Sequence, residues 1–119
     1  MATALDLIAR EAISLRDTPY GQVGVLHAGP DLDAWWIWKD GEEVDPALSV
    51  CDREDLLYVV RGALCLELDG QVPLVLHAGD TFVIPANTPY RGYRWPRDED
   101  EPCLFLAVAP AGAEFTRKS

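Results

Sequence analysis

The chain has 119 residues, enough to bury one core without disulfide or metal staples. Its 20 acids outnumber its 10 bases, and a net charge of −10 makes phosphate backbones and anionic membranes poor partners. Hydrophobic residues at 49% and charged residues at 25% fit a water-soluble globular domain, and no apolar run approaches the ~20 residues of a membrane helix.

Along the chain, Leu5, Ile8, Ala9 and Ala12 share one helical stripe, with Asp6, Arg10 and Glu11 outside it. This predicts a short amphipathic helix over residues 3–12, capped by Thr3, that packs on the domain or a partner chain. Asp6 and Glu11 also interrupt what would be the apolar core of a secretory leader, so a cytoplasmic protein is expected. The helical period then disappears. Short runs with strand character follow at Val23–His27, Ala34–Lys39, Leu48–Cys51, Leu56–Val60, Ala63–Leu68, Val72–Leu76, Thr81–Ile84, Tyr90–Trp95 and Leu104–Val108. Turn pairs such as Gly29-Pro30, Asp40-Gly41, Arg61-Gly62 and Gly79-Asp80 separate them, and Asp69-Gly70 carries the signal of a two-residue hairpin. So many short strands leave no room for helical crossovers and predict an all-β sandwich or barrel forming one domain over residues 1–119.

Cys51, Cys65 and Cys103 are odd in number and lack a CxxC pair, so reduced, buried thiols are expected. The acidic run from Asp98 to Glu101 reads as a solvated loop tip.

The segment GDTFVIPANTPY, Gly79 to Tyr90, places five residues between Gly79 and Pro85 and a turn at Asn87 and Pro89. It resembles the second motif of the cupin superfamily: glycine, five residues, proline, one residue, glycine, two residues, histidine. Asn87 stands in the middle-glycine place and Tyr90 in the histidine place. The first cupin motif has two histidines one residue apart, then a glutamate, then six residues and a glycine. Counting back from Gly62 puts Asp55 in the glutamate place and Ser49 and Cys51 in the histidine places. LLYVVRGALCLELDG, from Leu56 to Gly70, also looks like the family's continuation. The resemblance covers roughly residues 20 to 110 and implies a double-stranded β-helix (jelly-roll) barrel.

Metal-binding cupins hold their ion through three histidines and the glutamate, and here Ser49, Cys51 and Tyr90 replace all three histidines. A set of Cys51, Asp55 and Tyr90 would need the phenol to lose a proton whose intrinsic pKa is ~10, so no bound metal and no cofactor are expected.

Strand alternation predicts which side chains meet inside. If Tyr90 points inward, Gly92 and Arg94 share its face. Ser49 shares a face with Cys51, and Asp55 shares one with Leu57 and Val59. An apolar barrel with a few convergent polar groups is the form of a small-molecule site. In that reading Asp55 and Tyr90 form a catalytic acid/base pair, while Ser49, Cys51 and Arg94 bind ligand, the Arg94 fork holding an anionic group. The inert alternative is a core network in which Asp55 pairs with Arg94 and Tyr90 donates to Asp55. In AWWIWK, Trp36 and Trp38 share one face and Trp35 and Ile37 the other. These are core residues, or, should Trp36 and Trp38 face the lumen, an aromatic wall for a flat ligand.

Leu56, Tyr58 and Val60 are apolar on the face opposite Asp55, a pattern that predicts a homodimer formed by sheet packing, common among cupins. Two functional readings stand: a metal-free barrel binding a small anionic or aromatic molecule, or an enzyme. The enzyme would be an acid/base isomerase, lyase or cyclase, or a metal enzyme with unusual ligands.

Overall fold

The computed structural model describes residues 13–118. Among them are eleven strands and no helix. They are β1 (Leu15–Thr18), β2 (Gly21–Ala28), β3 (Leu32–Lys39), β4 (Leu48–Cys51), β5 (Asp55–Arg61) and β6 (Ala63–Leu68), followed by β7 (Leu74–His77), β8 (Thr81–Ile84), β9 (Tyr90–Arg94), β10 (Cys103–Pro110) and β11 (Phe115–Lys118). The helix expected over residues 3–12 lies outside the described residues. No described helix is long and apolar enough to cross a membrane.

All pairings are antiparallel and form two sheets, one ordered β1-β2-β3-β10-β5-β8 and the other β11-β4-β9-β6-β7. The sheets face each other as a double-stranded β-helix. Alternation along β5 shows how sequence sets the layers: Asp55, Leu57 and Val59 are buried, whereas Leu56, Tyr58 and Val60 are exposed. Register carries that alternation across the sheet. Trp35 pairs with Ala107 and Ala107 with Leu57 on the inner face, while Trp36, Leu106 and Tyr58 line up on the outer face. Between the sheets Val59, Leu64 and Leu66 are fully buried and Ile84 nearly so, packed with Leu57, Leu76 and Phe105. Each such aliphatic side chain contributes about 1.5–3 kcal/mol by leaving water.

Two backbone positions explain why the motif spacing is rigid. Gly62, at the β5–β6 turn, has φ 75°, and a Cβ there would run into the carbonyl of Pro102. Asn87 has φ 63°, the left-handed conformation in which asparagine is tolerated next best after glycine. It therefore substitutes for glycine at little cost, and its N–H donates to the Cys51 carbonyl at 2.7 Å, fastening this loop to β4.

The Asp69-Gly70 turn forms, with Gln71 N–H donating to the Leu68 carbonyl at 2.9 Å and Gly70 at φ 75°. It does not close a two-residue hairpin. Pro73 has no N–H for the ladder, so pairing resumes at Leu74 opposite Leu66 and a longer loop results. Strands β1 and β11 had no counterpart among the expected runs. Each is a four-residue edge strand with charged side chains, Arg16 and Asp17 in one and Arg117 and Lys118 in the other. Such strands resist edge pairing with other chains and leave no apolar alternation to read.

Candidate functional site

A cavity of about 660 Å³ lies between the sheets, lined from both. Asp55 opens β5 on the inner face and is 1% exposed. Tyr90 opens β9 in the opposite sheet, and its hydroxyl donates to Asp55 Oδ2 at 3.1 Å. The other carboxyl oxygen, Oδ1, is buried and has no hydrogen-bond partner. Desolvation raises the Asp55 carboxyl to about 6, with the Tyr90 bond pulling the other way. Burial first, then the negative field and hydrogen bond of Asp55, push the Tyr90 phenol far above its ordinary range. Tyr90 is thus a fixed donor, and Asp55 is the group that changes charge near neutral pH.

Ser49 lines the cavity beside this pair, with Tyr90 and Arg117 as its register partners. Cys51 does not line it. It is 2% exposed behind Asp55 and Tyr90, and burial raises its thiol, so it presents no thiolate. Arg94 does share the inner face of β9 but does not reach the cavity. At 5% exposure its Nη1 donates to the Asp40 carbonyl at 3.1 Å and its Nη2 to the Arg97 carbonyl at 3.0 Å. It clasps two loops and makes no ion pair with Asp55, which corrects both roles expected for it: the anion fork and the Asp55 partner.

The tryptophan strand turns the other way from the ligand-binding expectation. Trp35, Ile37 and Lys39 line the cavity, whereas Trp36 and Trp38 belong to the outer face. Both faces of that strand are apolar, so only the register with Phe105 and Ala107 identifies the inner one. Trp35 meets the ring of Phe115 edge-on, with centroids 5.2 Å apart, and Phe105 extends this aromatic wall. Gly92 also lines the cavity, and a Cβ there would lie 3.1 Å from Leu64 Cδ1.

The rim is rich in bases that sequence reasoning missed. Arg117 grips Asp45 with two hydrogen bonds, Nε to Oδ2 at 3.1 Å and Nη2 to Oδ1 at 2.5 Å. Arg91 pairs with Glu67 at 3.0 Å and donates to the carbonyls of Asp45 and Pro46. Arg16 stands exposed at the opening. Among the described residues, four bases line this cavity against two acids, Asp45 and Asp55. Nothing in the sequence singled the bases out, because their convergence follows from the pairing of β1, β3, β9 and β11.

These residues do not fit a transition metal. Asp55 already accepts from Tyr90, the Tyr90 and Cys51 protons are held more firmly than usual, and His27 and His77 are exposed. Among the described residues no group of three or more His, Cys, Asp and Glu side chains could hold an ion.

Comparison with known proteins agrees with this architecture. No curated protein matches the chain. Among solved structures it is similar to KdgF from Halomonas sp., with 26% identity and a TM-score of 0.70 over 88% of this chain and 94% of that one. The polyketide cyclase RemF from Streptomyces resistomycificus shares the fold at 17% identity, with a TM-score of 0.81 over 98% of this chain and 85% of that one. So does a double-stranded β-helix protein from Klebsiella pneumoniae, at 17% identity and a TM-score of 0.77 over 98% and 99% of the two chains. The family model described as a cupin domain matches residues 35–109, from the tryptophan strand through β10, and with the two facing sheets this places the chain in the cupin family.

Proposed function

We propose that this cupin takes a small anionic molecule with an apolar or aromatic body into its cavity, where Asp55 exchanges a proton with it. The observation that carries the reading is the Asp55 carboxyl itself: one oxygen engaged by Tyr90, the other buried without a partner, and a pKa of about 6. A desolvated carboxyl poised near neutral pH is suited to general acid/base work. Tyr90 holds the group in one orientation and keeps its own proton. The wall of Trp35, Phe105 and Phe115 supplies the apolar body's surroundings. No step passes through a metal.

Incubation in deuterium oxide with a panel of carboxylates that carry a ketone at increasing distance from the carboxylate tests this reading. Mass spectrometry should show deuterium entering the ligand with wild-type protein and not with Asp55→Asn. Binding without exchange would identify a binding barrel with no turnover. Equal exchange in both proteins would sink the role of Asp55.

We also propose that two copies pack through the outer face of the six-stranded sheet. Leu56, Tyr58, Val60 and Val83 are large exposed apolar residues there, next to Leu106. The patch formed by these five side chains is uncharged in a chain of net charge −10, so two such copies repel little through it. Sedimentation should give a dimer, and Tyr58→Lys a monomer. A wild-type monomer at tens of micromolar would exclude the dimer.

A further inference from the structure

The cavity holds one cation that the site chemistry has not used. Lys39, one of the chain's two lysines, ends β3 on the inner face and lines the cavity with Trp35 and Ile37. The other three bases around the cavity are accounted for: Asp45 holds Arg117, Glu67 holds Arg91, and Arg16 is exposed to water. Among the described residues Lys39 makes no hydrogen bond or ion pair. Burial lowers its pKa, with the field of Asp45 opposing, but both Asp45 oxygens already accept from Arg117. An ammonium taken out of water without a counter-ion is costly, and an incoming oxyanion removes that cost.

Strand register gives the cavity two poles. Lys39 pairs with Cys103, and Leu56, next to Asp55, pairs with Val108. Five residues of β10 separate the two levels, roughly 17 Å at the rise of an antiparallel strand. On this sheet the inner-face residues between the two levels, Ile37, Phe105, Trp35 and Leu57, carry no charge.

From this we infer that Lys39 is the anion-holding residue of the cavity and that its ligand is an elongated amphiphile. The ligand's oxyanion sits at Lys39, its apolar body runs along Trp35, Ile37 and Phe105, and its proton-exchanging atom reaches Asp55. The inference rests on the proposed function and specifies its ligand class. It also explains why Arg94 can be spent on backbone carbonyls: the anion is held elsewhere.

Calorimetric titration with 5-phenylpentanoate and its neutral primary amide tests the assignment on wild type, Lys39→Met and Lys39→Arg, with thermal melts confirming that each variant folds. Wild type should bind the acid at least tenfold more tightly than the amide. Lys39→Met should bring the acid down to the amide's affinity, and Lys39→Arg should restore most of the difference. An acid-to-amide ratio that survives in Lys39→Met overturns the role of Lys39 while leaving the cavity reading intact. Absence of saturable binding of both probes to wild type overturns the cavity reading and the Lys39 assignment together.

Discussion

Tyr90 and Asp55, 35 residues apart in the chain, open strands in opposite sheets and are joined across the cavity by one 3.1 Å hydrogen bond. The bond satisfies one carboxyl oxygen and leaves the other buried and unpaired. The proposed proton exchange and the pH dependence of stability therefore rest on a single group.

Asp55 should make the fold pH-dependent in a recognisable sense. Its folded pKa, about 6, lies above the ordinary value of 3.8, so the folded state favours the protonated form. The stability this confers is fully present below about pH 4 and is lost as pH rises through 6, by roughly 3 kcal/mol for a shift of two units. Asp45 and Glu67 are shifted downward and act in the opposite sense, so wild type alone is ambiguous. The difference between Asp55→Asn and wild type isolates the effect. Urea midpoints should show the variant gaining on wild type between pH 4 and pH 7, and a constant difference would refute the shift.

Tyr90→Phe removes the one interaction that lowers the Asp55 pKa. The carboxyl should then titrate higher, by about one unit for the loss of a hydrogen bond to a charged acceptor. Carbon NMR of labelled aspartate reads this directly. A fall in the titration midpoint would mean that water or another donor replaces the phenol.

Much of this site was legible because motif spacing fixes turns, and turns fix which residue starts each strand. Asp55 and Tyr90 begin β5 and β9, where alternation leaves little freedom, and Ser49 follows from its pairing with Tyr90. Alternation gave Arg94 the correct face but not its depth: four residues along β9 carry it past the cavity to the loops at Asp40 and Arg97. The tryptophan strand was ambiguous because both of its faces are buried against something, so periodicity has no polar side to orient it. Lys39 was invisible for a related reason, since a charged residue at a strand end normally means solvent. The edge strands β1 and β11, which supply Arg16 and Arg117 to the rim, carry almost no hydrophobic pattern at all.

Gly92 keeps the cavity open. Its Cβ would stand 3.1 Å from Leu64 Cδ1 and 3.8 Å from Leu66 Cδ1, both in the packed core. Gly92→Val should therefore cost about 1–3 kcal/mol by overpacking and should abolish binding of an aryl acid. Titration with 5-phenylpentanoate checks this, because unchanged affinity would place the ligand elsewhere.

Arg94 should prove a structural residue. Its guanidinium is buried, bonded only to the carbonyls of Asp40 and Arg97, and Arg97 in turn donates to the Glu42 carbonyl at 3.2 Å. Two loops that follow β3 and β9 are thus held together by arginines without a carboxylate between them. Arg94→Met keeps much of the apolar stem but leaves both carbonyls without their donor, at about 1–3 kcal/mol for each that stays dry. The variant should lose roughly 2–4 kcal/mol in urea unfolding, with faster hydrogen exchange confined to residues 40–47 and 95–102. An arginine that instead served the ligand would give the reverse result: stability near wild type, exchange unchanged, and the acid probe released.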